Sequence, residues 1–240
     1  MTTSQPDDVI VAADAAEAAT LAAEILGRAI HEAVQERGVA RVALSGGNTP
    51  SPAYRTLAGL DLRWEKVRWY WVDERAGASD GARNNARAAL EALGAVASRG
   101  AVHRMEADAP DLEAAAARYQ ELLRNEFGVA GAVAFDALVL GIGDDGHTAS
   151  LFPSTGAARI DDRLVAAIPA QPARELEARL TLTAPVLCEA RLAVVMAVGE
   201  GKRRPVADAR AGGDVDAVPA RLLGGQKNRL VWVLDRAAAG

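Results

Sequence analysis

The sequence predicts an α/β fold, a mostly parallel, Rossmann-like sheet with helices on both faces. Three observations predict it. Apolar strand-like runs alternate with helix-like segments, the order that parallel strands and their crossovers require. The run Leu192-Ala-Val-Val-Met-Ala-Val198 is apolar without a break, as a strand buried on both faces must be. Half of the residues are hydrophobic but only 4% are aromatic, an alanine-rich balance that favours helices over an all-β sandwich. The 240 residues contain no internal repeat and no long linker, so residues 1–240 are expected to form one domain with a sizeable core.

The first helix is expected over 13–35, where Leu21, Ile25, Leu26, Ile30 and Val34 make one apolar face and Gly38 supplies a stop. A strand over 39–44 ends in Ser45-Gly46-Gly47, and a helix begins near Pro50, a residue suited to a first turn. The Trp- and Val-rich stretch 66–72 reads as the second strand, closed by Asp73-Glu74-Arg75. Helices are expected next over 84–93 and 112–127. Further strands are expected over 135–140, 164–168, 179–182, 192–198 and 230–234.

The net charge of −5 argues against a nucleic-acid partner, which would call for a basic domain. An anionic ligand would need positive charge gathered locally against that field. The single cysteine, Cys188, cannot form an intramolecular disulfide and reads as a small buried apolar residue, in keeping with a reducing compartment. The start, Met1 to Asp8, has neither a basic nor an apolar region, so no secretory signal is expected. No apolar run approaches the roughly 20 residues of a membrane span. A cytoplasmic protein without membrane partners is the expectation.

Four strand ends carry unusual residues: 45–49, 73–75, 141–147 and 199–202. In an open parallel sheet all carboxyl ends share one edge, and ligands bind there, where the strand order switches. The 45–49 turn suits phosphate. Gly46 and Gly47 let backbone approach an anion, a helix after the turn would offer its positive end, and Ser45, Asn48 and Thr49 add donors. A plain turn capped by Asn48 or Thr49 fits the same spacing. Arg75 is either a surface ion pair or a fork for an oxyanion, and Lys202 either a phosphate-holding or a solvated lysine. The P-loop pattern fails there, with Met196 in place of glycine and Arg203 in place of Ser or Thr. Arg203 and Arg204 read as surface charge.

His147 is the most informative of three histidines; His31 lies in the first helix and His103 near a turn. It ends a glycine-rich loop that could present a neutral imidazole as a base, with Asp145 near enough to orient it. A structural loop histidine is the plainer reading. A metal site of Asp144, Asp145 and His147 is a third, without a second His or Cys to support it. The segment Gly141-Ile-Gly-Asp-Asp-Gly146 also fits a dinucleotide motif, but Pro153 would cut the helix such a site needs. No G-x-S-x-G elbow occurs, and nothing local pairs Ser45 with His147 as a nucleophile. No cofactor and no metal are expected.

Together these motifs resemble the 6-phosphogluconolactonase family. The matching segments are Ser45-Gly-Gly-Asn-Thr-Pro50, Trp71-Val-Asp-Glu-Arg75, Gly141-Ile-Gly-Asp-Asp-Gly-His-Thr-Ala-Ser-Leu-Phe-Pro153, Arg179-Leu-Thr-Leu-Thr183, Gly199-Glu-Gly-Lys202 and Pro219-Ala-Arg-Leu-Leu223. Their order is the family's, and they span nearly the whole chain. The resemblance implies a fold related to glucosamine-6-phosphate deaminases and ribose-5-phosphate isomerases. It implies hydrolysis of 6-phospho-D-glucono-1,5-lactone to 6-phosphogluconate in the oxidative pentose phosphate pathway. His147 matches the family's catalytic histidine, with Asp145 and Arg75 beside it. Arg75 and Lys202 match positions that hold phosphate or developing charge, and Ser45, Gly46, Gly47, Asn48, Thr49 and Gly143 fall in the expected substrate-binding segments. The chain departs from the family at Asn48, where Ser or Thr is commoner, and over 76–82, which lacks the usual Val-Pro; Arg83-Asn84 keeps part of the family pattern beyond that stretch. The expected partner is a small sugar-phosphate lactone, with the protein a monomer or small homo-oligomer. Amino-sugar phosphate deaminases share the Gly-Asp-Gly-His core but usually carry Asp-Glu-Tyr where this chain has Asp73-Glu74-Arg75, and an Asn-Glu-Pro ending where it has Ser150-Leu-Phe-Pro153. A non-catalytic sugar-phosphate sensor would need a DNA-binding helix pair, for which the region before Val39 has room for only one helix.

Overall fold

The computed structural model describes residues 8–129 and 131–240. The opening segment, in which no secretory signal is expected, lies up to residue 7 outside the described residues. The chain begins with strand β1 (Asp8–Ala12), helix α1 (Ala15–Arg37), β2 (Ala40–Leu44), α2 (Ser51–Ala58), β3 (Val67–Trp71) and β4 (Asp73–Arg75). It continues through α3 (Asn85–Leu93), β5 (Ala101–Val102), α4 (Leu112–Phe127), β6 (Ala137–Gly141), β7 (Val165–Ile168) and β8 (Arg179–Leu182). Then come α5 (Ala184–Leu187), β9 (Leu192–Ala197), α6 (Arg203–Arg210), β10 (Arg229–Asp235) and α7 (Arg236–Ala239). No described helix is long and apolar enough to cross a membrane.

Seven strands form one sheet in the order β1-β10-β9-β6-β2-β3-β5, and every pairing in it is parallel. From β2 the chain builds outward to β3 and β5; from β6 it builds the other way to β9. The switch point therefore lies between β2 and β6. Alternate side chains of each strand feed two cores. Val42, Leu44, Trp69, Trp71, Val139 and Val194 pack against α1, α2 and α3. Ala43, Tyr70, Leu138, Leu140 and Val195 face α4, α6 and a second, smaller sheet. Parallel strands buried on both faces result from this layering.

Local chemistry sets the helix ends. Asp14 accepts from the Ala16 and Glu17 N–H groups, both at 2.9 Å, so α1 starts at Ala15 and not at residue 13. Gly38, in the left-handed region at φ 72, closes it. Leu26 and Ile30 of α1 are fully covered, each burial contributing about 1.5–3 kcal/mol. The helix over 112–127 has the bounds expected, capped by Asp111 and Gly128.

The strands over 164–168 and 179–182 do not join the parallel sheet. With β4 they make a three-stranded antiparallel sheet, order β4-β8-β7. Residues 73–75, expected only to close the second strand, are thus a strand of their own. Strand β1, at the edge of the main sheet, was not foreseen. Cys188 is half-buried and packs against the core; its Sγ donates to the Leu222 carbonyl at 3.3 Å, and burial pushes the thiol up to about 11.

Candidate active site

A cavity of ≈ 360 Å³ opens at the carboxyl ends of β2 and β6, at the switch point. Ser45, Gly46 and Gly47 reach it from β2; Asp73 and Arg75 from β4; Gly141, Gly143, Asp144 and His147 from the β6 loop; and Lys202 from the turn after β9. The four strand ends marked in the sequence therefore meet at one cleft.

The His147 loop is a tight turn. The Gly143 N–H donates to the His147 carbonyl at 2.8 Å and the Gly146 N–H to the Gly143 carbonyl at 3.0 Å. Gly146 takes φ +83, a conformation that side chains rarely adopt. The loop leads into a Thr148–Leu151 bridge and not into a helix. Asp145 Oδ1 lies 2.6 Å from His147 Nδ1 and accepts the His147 main-chain N–H at 3.1 Å. An ionised carboxylate only accepts, so Nδ1 carries a proton, and in the neutral ring this tautomer leaves the Nε2 lone pair free to act as a base. The same hydrogen bond holds the Asp145 carboxyl at about 2, well below the usual range. The ring rests against Phe152, centroids 4.8 Å apart. It also lies over Gly143, where a Cβ would stand 2.0 Å from Nδ1, so only glycine leaves room for it.

The cations differ in their surroundings. Lys202 Nζ donates to the Ile142 carbonyl at 2.8 Å and to Asp144 Oδ1 at 2.5 Å. Arg75 donates through Nη1 to the Arg83 carbonyl at 3.0 Å, while its buried Nε has no hydrogen-bond partner. Its neighbour Glu74 is buried and accepts three backbone N–H bonds, from Arg75, Asn85 and Ala86; burial nevertheless raises its carboxyl above the ordinary value. Asp73, also buried, accepts from Ser150 Oγ at 2.6 Å and Asn85 Nδ2 at 3.1 Å. Asn85 in turn covers Gly46, where a Cβ would stand 2.0 Å from its Oδ1.

Not every expected residue lies at the cleft. Asn48 is exposed, and neither it nor Thr49 lines the cavity. Nor does either cap α2: the chain turns through 48–50, Pro50 takes the cap position, and Ser51 Oγ donates back to the Gly47 carbonyl at 2.7 Å. Asp145 touches the cleft only through His147. Ser45 Oγ donates to the Val139 carbonyl at 2.8 Å, an arrangement that commits its proton to the strand and not to a base. Asp144 and Asp145 engage Lys202 and His147 separately, and no group of three or more metal-ligating side chains exists among the described residues. Asn85, Ala149 and Arg179 line the cavity without having been singled out, and Asp73 was marked only as part of the 73–75 strand end. For Arg179 the signal was its place at the head of the 179–183 motif.

Comparison with known proteins shows which family the chain falls in. The family profile described as glucosamine-6-phosphate isomerases/6-phosphogluconolactonase matches residues 13–232. A 6-phosphogluconolactonase of Synechocystis sp. is 40% identical over 214 residues, 87% of this chain and 87% of its own. Among solved structures, a 6-phosphogluconolactonase from Shewanella baltica superposes with a TM-score of 0.84 at 28% identity, covering 98% of this chain and 99% of its own. A monomeric glucosamine-6-phosphate deaminase shares the fold with a TM-score of 0.80 at 23% identity, over 97% of this chain and 98% of its own. With a match that runs almost from end to end, the chain belongs to the glucosamine-6-phosphate isomerase/6-phosphogluconolactonase family.

Proposed function

We propose that the protein hydrolyses 6-phospho-D-glucono-1,5-lactone to 6-phospho-D-gluconate, as a cytoplasmic step of the oxidative pentose phosphate pathway, with His147 as the base. The observation that carries the reading is the 2.6 Å contact between Asp145 and His147 Nδ1 in a cavity that Arg75 and Lys202 also line. Relatives at 33–40% identity bear the lactonase name.

His147 Nε2 takes a proton from water as its oxygen bonds to the lactone C1. Asp145 fixes the tautomer and offsets the imidazolium that forms. Backbone N–H groups of the cleft or a cationic side chain face the tetrahedral oxyanion. Collapse breaks the bond between C1 and the ring oxygen, and His147 returns its proton to that oxygen. The backbone at Ser45, Gly46 and Gly47, with Arg75 or Lys202, receives the phosphate. A lactone is already reactive, so a positioned base contributing about 10²–10⁴-fold suffices.

The test mixes purified protein with freshly generated lactone and tracks acid release against spontaneous hydrolysis. Release well above background is expected. A background rate, or ammonia release from glucosamine 6-phosphate instead, would remove the lactonase reading.

A further inference from the structure

The geometry points to Arg179 as a substrate-binding residue that joins its cross-strand neighbour Arg75 in a two-pronged clamp for the phosphate dianion. The inference rests on the lactonase reading above and adds a cation to it. In the small sheet Arg75 and Arg179 are directly opposed across β4 and β8. Like charges at opposed antiparallel positions destabilise a sheet. Both residues line the cavity, and both have a buried Nε with no hydrogen-bond partner.

Arg179 is the more exposed of the two to this penalty. Its side chain is only 11% accessible, and the nearest carboxylates are Asp73 at 3.8 Å and Glu177 at 4.0 Å, both beyond hydrogen-bond reach. Among the described residues nothing accepts a hydrogen bond from its guanidinium. Asp73 offsets its charge without capturing it, because that carboxylate is held by Ser150 Oγ at 2.6 Å and Asn85 Nδ2 at 3.1 Å. The ring of Phe152 lies 5.5 Å below the guanidinium and keeps it in place. Burial pulls the group below its ordinary arginine range even with Asp73 near. Buried charged donors left without acceptors are costly, and a dianion accepting from two guanidinium forks removes that cost. Lys202 is placed differently: its ammonium is already bonded to Ile142 and Asp144 on another wall of the cleft.

The test is titration calorimetry of 6-phosphogluconate, with KM and kcat for the lactone, on wild type, Arg179→Met and Arg179→Lys. Arg179→Met is expected to raise both Kd and KM about 100-fold, the loss of two charge-assisted hydrogen bonds, with kcat within about threefold. Arg179→Lys keeps a charge beside Asp73 but loses the fork, and an intermediate weakening of about tenfold is expected. KM does not depend on the fraction of folded enzyme, so poor folding cannot imitate the result. Unchanged Kd and KM in both variants would overturn the clamp while wild-type turnover leaves the lactonase reading standing. A fall in kcat at unchanged KM would put Arg179 at the reacting carbon and overturn its phosphate role. A wild type that binds 6-phosphogluconate through Arg179 yet leaves the lactone at the background rate would sink the lactonase reading and keep the clamp.

Discussion

At the scale of single residues, the cleft depends on how one imidazole is seated. His147 lies on Gly143, and a Cβ there would stand 2.0 Å from Nδ1 and 2.7 Å from Asp145 Oδ1. Gly143 is not among the residues with positive φ, so its backbone accepts alanine and the conflict is with the ring and its carboxylate alone. Gly143→Ala is therefore expected to lower kcat by at least about 10²-fold, the lower end of what a base contributes, while the melting temperature stays close to wild type. Kinetics paired with a thermal melt checks both halves. The Asp145 carboxyl, held at about 2 by His147, gives a second prediction. Its lowered value means that the stability it adds is fully present above the unfolded value near 3.9 and is lost as pH falls through about 2. An NMR titration should find the Asp145 midpoint near 2 in wild type and shifted back towards about 3.9 in His147→Ala. The histidine, its carboxylate and the glycine-rich loop were all legible in the sequence. The seating on Gly143 was not, since it depends on a ring folding back over backbone four residues earlier.

At the scale of elements, the small antiparallel sheet was the least legible part. Strands of three and four residues with charged ends carry no usable period, and β4 pairs with β8 across about a hundred residues of sequence. The segments 164–168 and 179–182 were recognisable as strands, but nothing local says which sheet they join. That sheet brings Arg179 to the cleft and turns Asp73 inward, which is why neither placement was legible in the sequence. Glu74 ties it to α3 by accepting from the Asn85 N–H at 2.7 Å and the Ala86 N–H at 2.8 Å. In Glu74→Gln one of its two oxygens becomes an amide that cannot accept, leaving a buried N–H unpaired. The expected cost is about 1–3 kcal/mol, measured by denaturant unfolding, with a rise in KM because Arg75 and Asn85 flank the break.

At the scale of the whole molecule, topology dictates where the cleft lies. Parallel strands put 45–47, 141–147 and 199–202 on one edge, and the switch between β2 and β6 opens a crevice there. This much could be argued before any coordinates, because it needs only strand direction and the apolar runs that mark the strands. The order of the strands could not, since pairing of distant segments leaves no local trace. The central claim is that this edge holds a lactone-hydrolysing centre whose base is His147. It is tested most directly by comparing kcat and KM for 6-phosphogluconolactone between wild type and His147→Ala. In the variant kcat is expected to fall about 10²–10⁴-fold with KM within a few-fold. An alanine variant that matches wild type in kcat would contradict it.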